Sequence, residues 1–321
     1  TAIAAPHGPD ARSALAVVAR FAPGRTITST TTIDELGLSS LERVELMMAL
    51  EEALQITVDE SRFASAATVG DFEAMARPLE GVSGAATGAT LPEPIDFPTW
   101  NRTAPARALR RVSLPTWILP VARVFATIEV EGLEHLEGLN GPAIFAANHQ
   151  SHLDTPAILI ALPPRWRYRL APAMAKEFFK AHFYPDQFSR GAYFANSLNY
   201  YLASLFFNAF PLPQREAGTR QTLRYIGDLL SSGFSILIFP EGKRTDDGSI
   251  GRFLPGVAMA GARLQVPVVP VRLEGLDRIL HHTWKFPQRG TARVTFGRPM
   301  RLEGTDYAEL ARSVEAAVRA L

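Results

Sequence analysis

Apolar residues recur every three to four positions over residues 11–22 and again over 41–54. In the second stretch Leu41, Val44, Met47 or Met48, and Leu50 or Leu54 share one side, with acids between them. A shorter helix is predicted at about 69–77. No strand-like alternation intervenes, so residues 1–80 read as a small all-α bundle. Residues 81–104 read as a linker: Gly, Ser, Ala, Thr and Pro dominate its first twenty positions, which include Leu91-Pro92-Glu93-Pro94. From residue 105 the pattern changes. A helix over 106–126, broken or started by Pro115 and Pro120, is followed by alternating β-rich and helical segments. Strands are predicted at 127–131, 143–147, 167–172, 235–239, 267–273 and 292–297, and helices at 156–162, 218–231, 257–264 and 306–320. Residues 105–321 thus read as an α/β domain with a central, mostly buried sheet flanked by helices.

The 321 residues suffice for two domains, and the chain contains no cysteine. Disulfides, thiolate metal sites and a cysteine nucleophile are therefore excluded. Charge divides unevenly. Residues 1–80 hold six arginines and no lysine against twelve acids, net −6, and the remainder carries +7. The basic part suits anionic substrates or lipid headgroups. Nucleic acid is not an expected partner, because the cations are scattered and no reading motif accompanies them. No basic residue precedes Asp10, so a secretory leader is not expected. A fully apolar span of about 18 residues is missing. Residues 191–214 carry no charge and many aromatics, but Asn196, Asn199, Asn208, Pro211 and Pro213 argue against a spanning helix. Partial insertion at a membrane surface, a wall of an acyl tunnel, or a buried core helix would each explain them. Arg107, Arg110, Arg111 and the run Arg165-Trp166-Arg167-Tyr168-Arg169 are candidate headgroup contacts; an exposed edge strand would give the run the same alternation. A cytoplasmic protein peripherally bound to membrane is the expectation.

In the helical part, Ser39 and Glu42 have capping-box spacing, which leaves Ser40 exposed at the first helical position. A plain helix start would look the same. Residues 10–80 resemble an acyl carrier protein, whose second helix opens on Asp-Ser-Leu; Ser40-Leu41 match, and Ser39 replaces the aspartate. The resemblance implies a 4′-phosphopantetheine arm on Ser40, attached by a phosphopantetheinyl transferase, and an acidic docking face at Glu42, Glu45, Glu51 and Glu52.

Two signatures carry chemistry in the α/β part. Asn148-His149-Gln150-Ser151-His152-Leu153-Asp154 follows the predicted strand 143–147, and Thr155-Pro156 suits a helix cap and first position. His149 and Asp154 therefore bracket a short loop that can fold the carboxylate onto the imidazole. A carboxylate on Nδ1–H leaves Nε2 as an acceptor for a hydroxyl proton. A metal held by His149, His152 and Asp154, with help from His281 or His282, a structural histidine, and Asp154 as a helix cap remain open. Phe239-Pro240-Glu241-Gly242-Lys243-Arg244-Thr245 follows another strand. There Gly242 permits a tight turn, Lys243 and Arg244 supply cationic donors, and Glu241 is placed to bond a substrate hydroxyl or to hold Arg244.

Both signatures resemble those of the glycerolipid acyltransferases, the lysophosphatidic acid acyltransferase family. Asn148, His149, Ser151 and Asp154 match its first motif; Phe239, Pro240, Glu241, Gly242 and Arg244 match its third, with Lys243 and Thr245 as departures. Phe210–Arg215 resembles the second more weakly, and Val266–Val271 the fourth. The resemblance implies direct acyl transfer in which His149 is the base, Asp154 orients it, and Arg215, Arg244 and Lys243 hold an acceptor phosphate. It further implies an acyl thioester donor, a glycerophosphate or lysophospholipid acceptor and no metal. The linker would keep a tethered donor at an effective concentration of about millimolar. The sequence opens on Thr1, which is compatible with an upstream acyl-activating domain that loads the carrier.

Overall fold

The computed structural model describes residues 14–21, 27–36, 46, 50, 54, 63, 66–76, 97–212, 219–244, 248–281, 283–284, 286–304 and 306–321. It divides into two compact units, Thr1–Ala89 and Thr90–Leu321.

In the first unit, helices α1 (Ala14–Phe21) and α2 (Val69–Ala76) lie where the periodicity places them. Val17, Val18, Leu46, Leu50, Phe63, Val69 and Phe72 form its core. Phe63 and Phe72 stack at 4.8 Å. Residues 46, 50 and 54 are helical, and the four-residue spacing puts them on one side. A capping box is present at Thr32: its N–H donates to Glu35 Oε2 (3.0 Å) and its Oγ1 accepts from Glu35 N (3.2 Å). The box expected at Ser39–Glu42 lies outside the described residues, as does Ser40.

The second unit is a three-layer α/β fold. Helix α3 (Ala104–Ser113) continues through a π-turn (Leu114–Ile118) into α4 (Leu119–Phe125). The π-turn has a cause. Pro120 has no N–H to complete an α-helical bond, and Leu119 N donates instead to Leu114 O, five residues back. The helix expected over 106–126, broken or started by Pro115 and Pro120, is thus two segments joined by one wide turn. Then follow β1 (Ala126–Glu131), β2 (Ile144–Ala147), α5 (Asp154–Ala161), β3 (Leu170–Ala175), α6 (Arg190–Phe207), β4 (Phe210–Leu212), α7 (Thr219–Ser231), β5 (Ser235–Ile238), α8 (Gly256–Arg263), β6 (Val268–Glu274), β7 (Gly290–Phe296) and α9 (Tyr307–Arg319).

The strands form one sheet in the order β1-β7-β6-β2-β5-β3-β4. Every pairing is parallel except β6 with β7. β2 sits in the middle and is wholly buried, so it reads as a continuous apolar run. Phe145 and Ala147 face the core under α5; Ile144 and Ala146 face the core under α7, α8 and α9.

Two differences from the sequence-based expectation, and two alternatives it left open, have physical reasons. Residues 97–104, expected as linker, pack on the second unit: Phe97 stacks on Tyr225 at 4.2 Å, Tyr225 Oη donates to Pro98 O, and Asn101 is buried. The Arg165–Arg169 run is not an edge strand. Pro164 opens a helical turn, Pro164–Arg167, and Arg167 donates to the carbonyls of Leu159, Ile160 and Leu162 that end α5. β4 was hidden because it has three residues and contains Pro211, which suits only its place at the sheet edge. Finally, α6 is inverted relative to a core helix. Ser197, Tyr200 and Ser204 are buried, whereas Phe194 is 70% exposed, and Tyr193, Leu198, Tyr201 and Leu202 are exposed too. Ser189 caps its start by accepting from Ala192 N, and Asn208 ends it at a left-handed φ of 59°.

Candidate active site

The loop after β2 is pinned by its own polar side chains. Asn148 is buried and brackets one residue of β6: its Nδ2 donates to Leu273 O (3.0 Å), and its Oδ1 accepts from Leu273 N (2.7 Å). Gln150 Nε2 donates to Gly248 O, and its Oε1 accepts from Leu276 N. Ser151 Oγ donates to Leu280 O and accepts from Leu153 N. Replacing Asn148 with alanine would orphan both backbone groups of Leu273. The second unit is expected to lose roughly 2–5 kcal/mol, measurable as a lower urea midpoint.

These staples present His149 to Asp154. The imidazole Nδ1 is 2.6 Å from Asp154 Oδ2, with Asp154 only 1% exposed and His149 17%. Asp154 also accepts from Gln150 N (2.7 Å) and Ser151 N (3.0 Å). Its carboxylate therefore grips the loop before it rather than capping a later helix. α5 begins at Asp154 itself, so Thr155 is not its cap, and Pro156 falls within the first turn, where its missing N–H costs nothing. With Nδ1–H donated to a carboxylate, Nε2 carries the lone pair. The ring is further fixed by stacking on Phe239, with centroids 4.3 Å apart.

The second signature reaches the same place through strand register. β2 and β5 pair with a constant offset, Ile144 with Ile236 and Ala146 with Ile238. Carried three residues past the Ala146–Ile238 pair, that offset sets His149 opposite Glu241. There His149 N donates to Glu241 Oε1 (2.9 Å), and Gly251 N donates to Oε2 (2.8 Å). Both oxygens thus clasp backbone, rather than bonding Arg244 as the sequence suggested. Burial raises the Glu241 pKa, and the two N–H donors oppose that shift. Gly242 has φ +71°, a conformation that favours glycine, and closes a turn by donating to Phe239 O.

Lys243 is exposed and Arg244 is half-buried. Burial holds Arg244 below the usual guanidinium range, and the charge of Asp154 opposes this, so the two groups lie within electrostatic reach. Arg244 Nε is buried with no hydrogen-bond partner among the described residues. Arg215, Thr245 and His282 lie outside the described residues. No group of three His, Cys, Asp or Glu side chains among the described residues could hold a metal ion.

Two residues escaped the sequence reading. Lys176 is a buried cation directly after β3, on the strand beside β5, with Nζ 2.8 Å from Tyr184 Oη. A lysine following an apolar strand was the available signal. Gly251 allows the Glu241 clasp, since a Cβ there would approach Oε2 to 2.7 Å; a lone glycine in a loop gives no such hint.

Comparison with known proteins finds two matching families. Residues 127–274 match the acyltransferase family, and residues 12–76 match the phosphopantetheine attachment site family. The chain is 29% identical over 157 residues to a chloroplastic 1-acyl-sn-glycerol-3-phosphate acyltransferase of Arabidopsis thaliana, covering 49% of this chain and 38% of that protein. It therefore spans less than half of that relative's length. It is 23% identical over 218 residues to the human 1-acyl-sn-glycerol-3-phosphate acyltransferase beta, covering 67% of this chain and 71% of that one. The crystal structure of the 1-acyl-sn-glycerophosphate acyltransferase of Thermotoga maritima superposes with a TM-score of 0.46 at 22% identity, covering 67% of this chain and 76% of that one. Residues 127–274 thus form a domain that matches the acyltransferase family, preceded by a domain that matches the phosphopantetheine attachment site family.

Proposed function

We propose that this chain transfers a fatty acyl group from a phosphopantetheine thioester to a hydroxyl of lysophosphatidate or glycerol 3-phosphate. The observation that carries the reading is the 2.6 Å contact between His149 and the buried Asp154, with the half-buried Arg244 in electrostatic reach. The arm, when attached to Ser40, supplies the activated acyl carbonyl. His149 Nε2 accepts the proton of the acceptor hydroxyl as that oxygen attacks the carbonyl. Asp154 holds the imidazole in the required tautomer and stabilises the imidazolium that forms. As the carbon–sulfur bond breaks, the imidazolium returns the proton to the departing thiolate. Arg244, Lys243 and Arg215 hold the acceptor phosphate, which places the hydroxyl beside Nε2. The absence of cysteine suits attack without a covalent enzyme intermediate.

The acyl donor in this reading is the chain's own carrier, with a free carrier or coenzyme A thioester able to substitute. The protein works peripherally at a membrane. The outward aromatic face of α6 supports this, and no helix among the described residues is long and apolar enough to cross one.

The direct test is incubation of pantetheinylated, acyl-loaded full chain with glycerol 3-phosphate or lysophosphatidate, followed by mass spectrometry. Appearance of the acylated acceptor with loss of the protein-bound acyl group is expected. No transfer to either acceptor would overturn the proposal. Arg244→Gln should raise the acceptor KM by about 10–100-fold, the range for a lost charge-assisted hydrogen bond, with a much smaller effect on kcat. Steady-state kinetics at saturating donor would read that split.

A further inference from the structure

A second cationic site lies at the other end of the sheet. Arg107, Arg110, Arg111 and Arg169 line a cavity of about 90 Å³, and among the described residues no carboxylate shares that lining. Arg169 directly precedes β3, and Ser232 and Phe234, also in the lining, precede β5. His149 and Glu241 follow the opposite ends of β2 and β5. The two sites are therefore separated by at least the length of β5, roughly 13 Å.

Arg110 is the unusual member. It is only 3% exposed. Its Nε donates to Leu205 O and its Nη2 to Asn101 O and Ser204 O, which ties α3 to the end of α6. Its Nη1 has no partner among the described residues. Burial lowers its pKa to about 10, so it remains cationic at neutral pH. A buried, underused guanidinium beside three more cations is costly unless an anion joins them. The neighbours are held in place. Arg111 lies over the Tyr168 ring at 5.9 Å, and Gly233, at φ +77°, leaves room for Arg169 Nη1 where a Cβ would come to 3.2 Å.

We infer that this cavity binds a phosphate group at a site distinct from the acyltransferase centre. Guanidinium forks match phosphate oxygens in pairs. The phosphate of an anionic lipid headgroup fits the surroundings. The outward side of α3 carries exposed Leu109 and Val112, and the row continues through Trp117, Val121 and Val124 on the π-turn and α4. A soluble phosphate shares the chemistry without needing that apolar row. The inference depends on neither the donor nor the acceptor proposed above.

The full chain and its Arg107→Gln, Arg111→Gln, Arg169→Gln triple variant serve as the pair, since all three positions are exposed. Each is titrated with inorganic phosphate by calorimetry and sedimented with vesicles of phosphatidylcholine, alone or mixed with phosphatidylglycerol. The wild type is expected to bind the mixed vesicles, and the triple variant to lose that binding on the order of 100-fold, from three basic contacts at the surface. A loss confined to inorganic phosphate would identify a soluble phosphate as the ligand. Equal behaviour of the two proteins in both assays would overturn the inference.

Discussion

His149→Ala is expected to lower kcat by about 10²–10⁴-fold while leaving the acceptor KM nearly unchanged. The imidazole takes a proton in the transition state and contributes little to ground-state binding. Asp154→Asn should come close to the same loss by another route. The amide can offer Nδ1 a donor where a carboxylate accepts, which favours the wrong tautomer. Because Asp154 also accepts from the N–H groups of Gln150 and Ser151, this variant is additionally expected to destabilise the loop. Single-turnover transfer from preloaded protein would read the chemical step, and thermal melts would separate the two effects. Full turnover by His149→Ala would remove general-base catalysis from the account.

Ser40→Ala should abolish transfer of protein-bound acyl groups entirely, because no arm can be attached. Acylation from an added coenzyme A thioester should survive if the α/β unit accepts it. The contrast is diagnostic: a carrier that merely stabilised the chain would lose or keep both activities together. Loading is read by the mass increment of the arm on the intact protein, and transfer by lipid analysis. A tethered donor at about millimolar effective concentration should also make wild-type transfer independent of protein concentration, unless the arm serves a neighbouring molecule. Transfer by Ser40→Ala from its own loaded form would be fatal to the carrier assignment.

Much of the architecture could be read before the structure because the strands that position the site are apolar but for Ser235. Ile144–Ala147 and Ser235–Ile238 announce themselves as runs bounded by turn residues, and so do the loops that leave them. The pairing of His149 with Asp154 was also visible, since a six-residue loop from a strand into a helix leaves few ways to fold. What stayed hidden depends on strand neighbours. Glu241 was expected to serve a ligand or Arg244, but it reaches across a parallel register to the backbone of His149, and only strand order reveals that. Asn148, Gln150 and Ser151 looked like parts of a chemical motif; they prove to be staples to Leu273, Leu276 and Leu280. Arg110 looked like a surface cation and is instead buried, because its stem lies where α3 meets α6. Aromatic content did not reveal which side of α6 faces outward. The buried side is chosen by small serines that admit close approach, and periodicity in large residues cannot see them.

The wide turn at Leu114–Ile118 has a consequence for the phase of the whole helical arm. The outward row steps by five residues across it, from Val112 to Trp117, and by three or four elsewhere. Deleting one residue from that turn would rotate α4 by about 100° against α3. Val121 and Val124 would swing off the row, and Leu119 and Ala122 would leave the core. A single extra residue therefore works as a gear tooth, keeping two helix segments facing the same way.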